Sequence, residues 1–196
     1  MVAGPEKLNA LRVVLFSGPP ATGKSTLADT IGRELNAPVI SWDWSMAALS
    51  PFAELQGALN TMARDRFHDV GYSMMAQATE KQLRNRQSVI LDCVARERGW
   101  KRWSTIAAEH AVPLHVVECI CSDEEVHRSR VVGRIRSIPG WYELEWDHVA
   151  IARERYEPLA VEKIVVDAVD PVADNLARVR AHIGLDQNAA APEEAR

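Results

Sequence analysis

Directly after the apolar run Leu11-Arg-Val-Val-Leu-Phe16, residues 18 to 26 read Gly-Pro-Pro-Ala-Thr-Gly-Lys-Ser-Thr. This G-x-x-x-x-G-K-[ST] spacing restricts the fold because it needs a strand before it and a helix after it. The loop must turn sharply with successive backbone N–H groups facing inward. It then passes into a helix whose positive dipole end points the same way. Both flanks comply: Val13, Val14, Leu15 and Phe16 form a buried-strand run, and Leu27, Ile31 and Leu35 recur at helical spacing over 24–35. A polyphosphate fits such a nest. Gly18, Pro19, Pro20, Ala21, Thr22 and Gly23 supply its backbone, Lys24 a point charge for the β- and γ-phosphates, Ser25 a hydroxyl for Mg²⁺ and Thr26 one for the α-phosphate.

The rest of the chain alternates strand and helix. Short apolar runs predict strands over 12–17, 38–42, 88–92, 113–120 and 162–167. Helices are predicted over 24–35, 52–68, 72–86, 98–110, 123–134, 147–156 and 172–183. That order calls for an α/β fold with a mostly parallel sheet, helices on both faces and ligand groups at the carboxyl ends of the strands. With 196 residues and 47% hydrophobic content, residues 1–185 read as one domain, and 186–196, rich in Ala, Asn and Glu, as a disordered tail.

No span approaches the ~20 apolar residues of a membrane helix, and the first residues lack a signal peptide's apolar stretch, so a cytoplasmic location is expected. Cys93, Cys119 and Cys121 lack metal or redox spacing and read as small buried apolar residues. A net charge of −4 without a Lys/Arg run argues against a nucleic-acid partner. Arginines instead gather locally, at 96, 98 and 102 and at 128, 130, 134 and 136, a pattern suited to small anionic ligands.

Strand ends supply further candidates. The second strand runs into Ser41-Trp-Asp-Trp44, placing Asp43 at the sheet rim, where a carboxylate takes the proton of an attacking hydroxyl; a helix cap is its alternative role. Of Trp42 and Trp44, one is expected in the core and the other against an acceptor ring. Val89-Ile-Leu-Asp92 has the pattern of a Walker B segment, with Asp92 holding Mg²⁺-bound water or touching the acceptor. Arg96, just beyond, is the expected acceptor contact. Arg130 and Arg134, four apart, are predicted to share a helical face, with Arg136 close behind and Pro139-Gly140 ending the helix. Arginines on such a hinged end can close over a triphosphate, which marks a lid at about 128–147.

Together, the 18–26 loop, the Asp43 and Asp92 strand ends and His127-x-x-Arg130-x-x-x-Arg134-x-Arg136 resemble P-loop kinases of small molecules, specifically the AAA_33-type group. That group is similar in layout to chloramphenicol phosphotransferase, gluconate kinase, zeta-toxin kinases and the kinase domain of polynucleotide kinase. Arg136-Ser-Ile-Pro-Gly-Trp-Tyr-Glu-Leu-Glu-Trp146 and Arg153-Glu-Arg-Tyr-Glu-Pro158 also resemble it, so the likeness runs from about Leu11 to Ile183.

The resemblance implies a five-stranded parallel sheet of order 2-3-1-4-5, a mobile lid and Mg·ATP as donor, with GTP left open. It implies Asp43 as base, Lys24 on the transferred phosphate and the lid arginines at the γ-phosphate. The nucleotide base would lie in the loop 166–171, where Asp170 is a binding candidate and, before Pro171, also reads as an N-cap. The acceptor region between strands two and three holds Met46, Phe52, Met62, Arg64, Arg66, Phe67, Tyr72, Met74 and Met75. Most of these are expected in the core, and Arg64 and Arg66 are free to meet a charged acceptor. Trp141, Tyr142 and Trp146 either cover a ring or pack the lid.

The expected activity is transfer of the γ-phosphoryl group of Mg-ATP to a hydroxyl of a small molecule such as a nucleoside, sugar or antibiotic-like compound. Two alternatives stand beside it: a polynucleotide 5′-hydroxyl kinase, and an NTP-gated regulatory or binding module with slow hydrolysis. Oligomeric state is left open.

Overall fold

The computed structural model describes residues 10–185; the expected tail at 186–196 lies outside the described residues. Along the chain run β1 (Val13–Ser17), α1 (Lys24–Glu34), β2 (Val39–Ser41), α2 (Trp42–Ala47), α3 (Ala53–Asn60), α4 (Arg64–Arg84) and β3 (Val89–Asp92). Then come α5 (Glu97–Glu109), β4 (Leu114–Ile120), α6 (Glu124–Val131), α7 (Trp146–Glu154), β5 (Ile164–Asp167) and α8 (Val172–His182). The strands form one parallel sheet in the order β2-β3-β1-β4-β5, as expected.

β1 takes the middle because its side chains are apolar on both faces. Val13 and Leu15 point into one core with Trp42, Tyr72, Met75 and Trp103, while Val14 and Phe16 point into the other with Leu27, Ile31 and Val179. Full burial of each such side chain contributes about 1.5–3 kcal/mol, which no edge position could supply. The carboxyl ends of β1, β2 and β3 consequently meet at one rim, where Asp92 is the register partner of both Phe16 and Ser41.

Three differences from the predicted elements bear on the site. β2 ends at Ser41, and Trp42 opens a short helix in which Trp42 and Met46, one turn apart, face the core. The predicted helices 52–68 and 72–86 are instead divided at 61–63, and α4 runs unbroken through Gly71. A Cβ on Gly71 would lie 2.2 Å from Trp42 Nε1. The glycine therefore admits the indole, and that burial outweighs its helix-propensity cost of about 1 kcal/mol. The third difference concerns the predicted helix 123–134. α6 stops at Val131, because Val132 turns extended and Gly133 is left-handed at φ 74°. Among the described residues no helix is long and apolar enough to cross a membrane.

Candidate active site

The loop between β1 and α1 is shaped by two glycines. Gly18, at φ 145°, lies so close to β4 that a Cβ would stand 2.0 Å from the Cys119 carbonyl oxygen. Gly23, at φ 82°, turns the chain into α1. Between them Ala21 is also left-handed, at φ 63°. For a residue with a Cβ this conformation costs about 1–2 kcal/mol, so its surroundings must hold it there. Left-handed residues placed between right-handed ones converge backbone N–H groups into an anion nest.

Thr22 Oγ1 and Lys24 Nζ both donate to the Pro19 carbonyl, at 2.9 and 2.6 Å, so the lysine is folded back along its own loop and buried. Ser25 and Thr26, at the start of α1, are exposed at the mouth. Ser25 Oγ donates to Asp92 Oδ2 at 2.7 Å. Burial raises the Asp92 pKa, with Lys24 and the Ser25 hydroxyl opposing the shift and Asp43 adding to it. A hydroxyl and a carboxylate this close are two hard oxygen donors, which suits a Mg²⁺ ion that keeps most of its water and phosphate ligands.

Asp43 lies in the first turn of α2 and caps nothing; its side chain turns toward the segment after α6. Arg136 Nη1 donates to Asp43 Oδ2 at 2.9 Å, and Trp141 Nε1 donates to Oδ1 at 3.2 Å. Arg136 is fixed in turn by the Tyr142 carbonyl, with its guanidinium over the Tyr142 ring, and Glu143 accepts from its backbone N–H at 2.9 Å. The 132–145 segment thus lies over the β2 end of the rim, and Trp141 packs edge-on against Trp42, with ring centres 6.1 Å apart.

The structure does not place Arg130 and Arg134 on a common helical face. Arg130, near the end of α6, donates to the Ala168 carbonyl beside the loop after β5. Arg134 lies beyond the helix end and borders a small crevice with Ala21, Arg136 and Glu143. Asp170 is not the N-cap of α8, which is Pro171; its carboxylate instead faces Arg178 at 3.9 Å. Asp167 shapes that loop, accepting from the backbone of Ser122 and Val169 at 3.1 Å each.

In the region expected to hold the acceptor, Trp42 is buried and Trp44 is 56% exposed. Met46, Tyr72 and Met75 are in the core as expected, whereas Phe52 and Met62 are exposed. Arg64 and Arg66 are exposed, and Arg96 Nη1 meets Asp65 Oδ1 at 3.1 Å. Two contacts had no distinct signature in sequence. One is the Trp141 bond to Asp43, visible only as an aromatic in the lid pattern. The other joins His127 Nε2 of α6 to the Pro20 carbonyl at 2.8 Å.

A glycine-cornered loop between the central strand of a parallel sheet and a helix, with Asp92 at the end of the adjacent β3 and Asp43 in the helix that follows β2, defines the P-loop fold class. The chain belongs to the AAA_33 family (AAA domain), whose model matches residues 13–159. No curated protein matches it. Among solved structures it resembles a sugar kinase from Janibacter sp., at 16% identity and TM-score 0.62, over 93% of this chain and 99% of that one. A gluconokinase from Sinorhizobium meliloti is similar at 18% identity and TM-score 0.61, over 89% and 97% of the two chains. An APS kinase from Mycobacterium tuberculosis is similar at 14% identity and TM-score 0.55, over 89% and 98%. At such identities the likeness is one of fold, that of P-loop small-molecule kinases.

Proposed function

We propose that this chain is an ATP-dependent phosphotransferase that moves the γ-phosphoryl group onto a hydroxyl of a small molecule, of the nucleoside, sugar or antibiotic-like kind. The observation that carries the reading is the shared rim. Ser25, at the start of the helix after the phosphate loop, donates to Asp92 at the end of β3, and the register partner of Asp92 is Ser41, the last residue of β2 before the helix that carries Asp43. The phosphate loop and a carboxylate held by two donors are therefore gathered at one end of the sheet on either side of Asp92.

In this reading the N–H groups of 18–26 and Lys24 hold the β- and γ-phosphates, and Thr26 the α-phosphate. Ser25 and Asp92 hold Mg²⁺, which when bound neutralises charge on the phosphate oxygens. Asp43 accepts the acceptor's hydroxyl proton as its oxygen bonds to the γ-phosphorus and the bond to the departing ADP breaks. Arg136 and Trp141 use one lone pair on each Asp43 oxygen, and a carboxylate oxygen has a second to offer. Arg130, Arg134 and Arg136 belong to the nucleotide side, and Trp44, Arg64 and Arg96 to the acceptor side. Asp170 and the carbonyls beside it border the nucleotide base. A cytoplasmic setting belongs to the same proposal.

The test is ATP consumption with Mg²⁺ across pooled nucleosides, sugars, amino-alcohols and antibiotics, with product masses read for one added phosphoryl group. Lys24→Ala is expected to abolish transfer and weaken ATP binding, and Asp43→Asn to abolish transfer with ATP binding near normal. Equal loss of ATP affinity in both variants would instead make Asp43 a structural or metal residue. Slow, pool-independent hydrolysis would count against a kinase.

A further inference from the structure

His127 is 1% exposed and takes no part in the chemistry above. Its Nε2 lies 2.8 Å from the Pro20 carbonyl oxygen. A carbonyl only accepts, so Nε2 carries the proton, and Nδ1 is left as a buried atom without a hydrogen-bond partner. The ring is clamped from a third side by Trp146 of α7, edge-on with centres 5.6 Å apart. A buried polar side chain that spends one nitrogen unsatisfied is retained against a cost, so the bond made by the other nitrogen is the feature to explain.

That bond ends on the peptide preceding Ala21. In a trans peptide the N–H points opposite the C=O. With the Pro20 carbonyl held toward α6, the Ala21 N–H faces away from α6. The left-handed turn at Ala21 (φ 63°) and the second at Gly23 (φ 82°) then bring the following N–H groups toward a common centre. Ala21 is held in this conformation from the same side, its methyl packed with Val131 of α6 and Val149 of α7. The outer wall of the phosphate loop is therefore built by the two helices that flank the lid segment, and His127 is its polar attachment.

We infer that His127 is a positioning residue for the nucleotide's phosphates: by fixing the Pro20–Ala21 peptide it presents the loop's N–H groups to the β-phosphate. This rests on the proposed nucleotide site and adds to it a residue that touches neither nucleotide nor acceptor. Gln at 127 can place an amide N–H near the Nε2 position, Asn falls short of it, and Leu fills the space with no donor.

The experiment measures Mg-ADP affinity by calorimetry and adenosine affinity by ligand-detected NMR for the wild type, His127→Gln, His127→Asn and His127→Leu. Gln is expected within about threefold of wild type for Mg-ADP, and Asn and Leu about tenfold weaker, the worth of one buried hydrogen bond. Adenosine affinity is expected to be unchanged throughout. If Leu does not fold, the Gln and Asn pair decides. Wild-type affinity in Asn, a Gln variant as weak as Asn, or equal losses for adenosine and Mg-ADP would overturn the inference. A wild-type protein that binds no Mg-ADP removes the nucleotide-site reading itself, and this inference with it. Mg-ADP binding with His127 indifferent removes the inference alone.

Discussion

Replacing Arg136 by Met leaves the Asp43 carboxylate with only the Trp141 N–H. In the native chain Arg136 is 9% exposed at its side chain and Asp43 39%, so solvent screens one partner and hardly reaches the other. A charge-assisted hydrogen bond contributes about 1.5–3 kcal/mol when sheltered and an exposed ion pair about 0.2–1 kcal/mol. A pair of this mixed exposure should couple by about 1–2 kcal/mol. Arg136 also loses its bond to the Tyr142 carbonyl, so Arg136→Met alone should cost about 2 kcal/mol, or about 4–8 °C in thermal midpoint for a chain of this size. The assay is a double-mutant cycle of Arg136→Met, Asp43→Asn and the combined variant, by urea and thermal unfolding without nucleotide. Coupling below about 0.5 kcal/mol lies within ordinary non-additivity. It would refute a 132–145 segment docked on Asp43 in the free protein.

Two further outcomes follow from the geometry. Gly18→Ala should cost more than about 3 kcal/mol, because its Cβ would fall 2.0 Å from backbone that β4 cannot move. Gly133→Ala meets nothing within 4 Å and should cost only about 1 kcal/mol for its left-handed φ; equal midpoints for the two variants would contradict this. His68 is pushed down to about 4 by burial first and by Arg96 and Arg64 next. The unfolded chain therefore takes up a proton near pH 6.5 that the folded chain refuses, and this share of stability is present above about 6.5 and lost as pH falls toward 4. Allowing for partial exposure it is about 1–2 kcal/mol. His68→Gln should shrink the difference in unfolding free energy between pH 7.5 and 4.5 by that amount, and an unchanged difference would refute it.

Much of the fold was legible because local rules carry it. The apolar runs at 13–16 and 89–91 have no alternative to burial on both faces, and the loop between Gly18 and Thr26 accepts only a strand before it and a helix after it. The misplaced boundaries were decided by packing or by a backbone turn that apolar spacing does not record. Gly71 stays helical because Trp42 fills the space its missing side chain leaves. Arg134 leaves the helix that carries Arg130 because Gly133 adopts a left-handed turn, a choice that four-residue spacing cannot reveal.

The candidate site divides along the same line. By itself the sequence determined the phosphate loop, the alternating strands and helices, and which strand ends carry acids, because those depend on residues adjacent in the chain or on a two- or four-residue period. Only the tertiary structure decided that Asp43 faces Arg136 and Trp141, more than ninety positions away. It likewise decided that Ser25 meets Asp92 and that His127 holds the loop at Pro20. The physical reason is that hydrogen bonds and ion pairs depend on distance and direction in space, and for residues this far apart in the chain those are set by how the helices pack on the sheet.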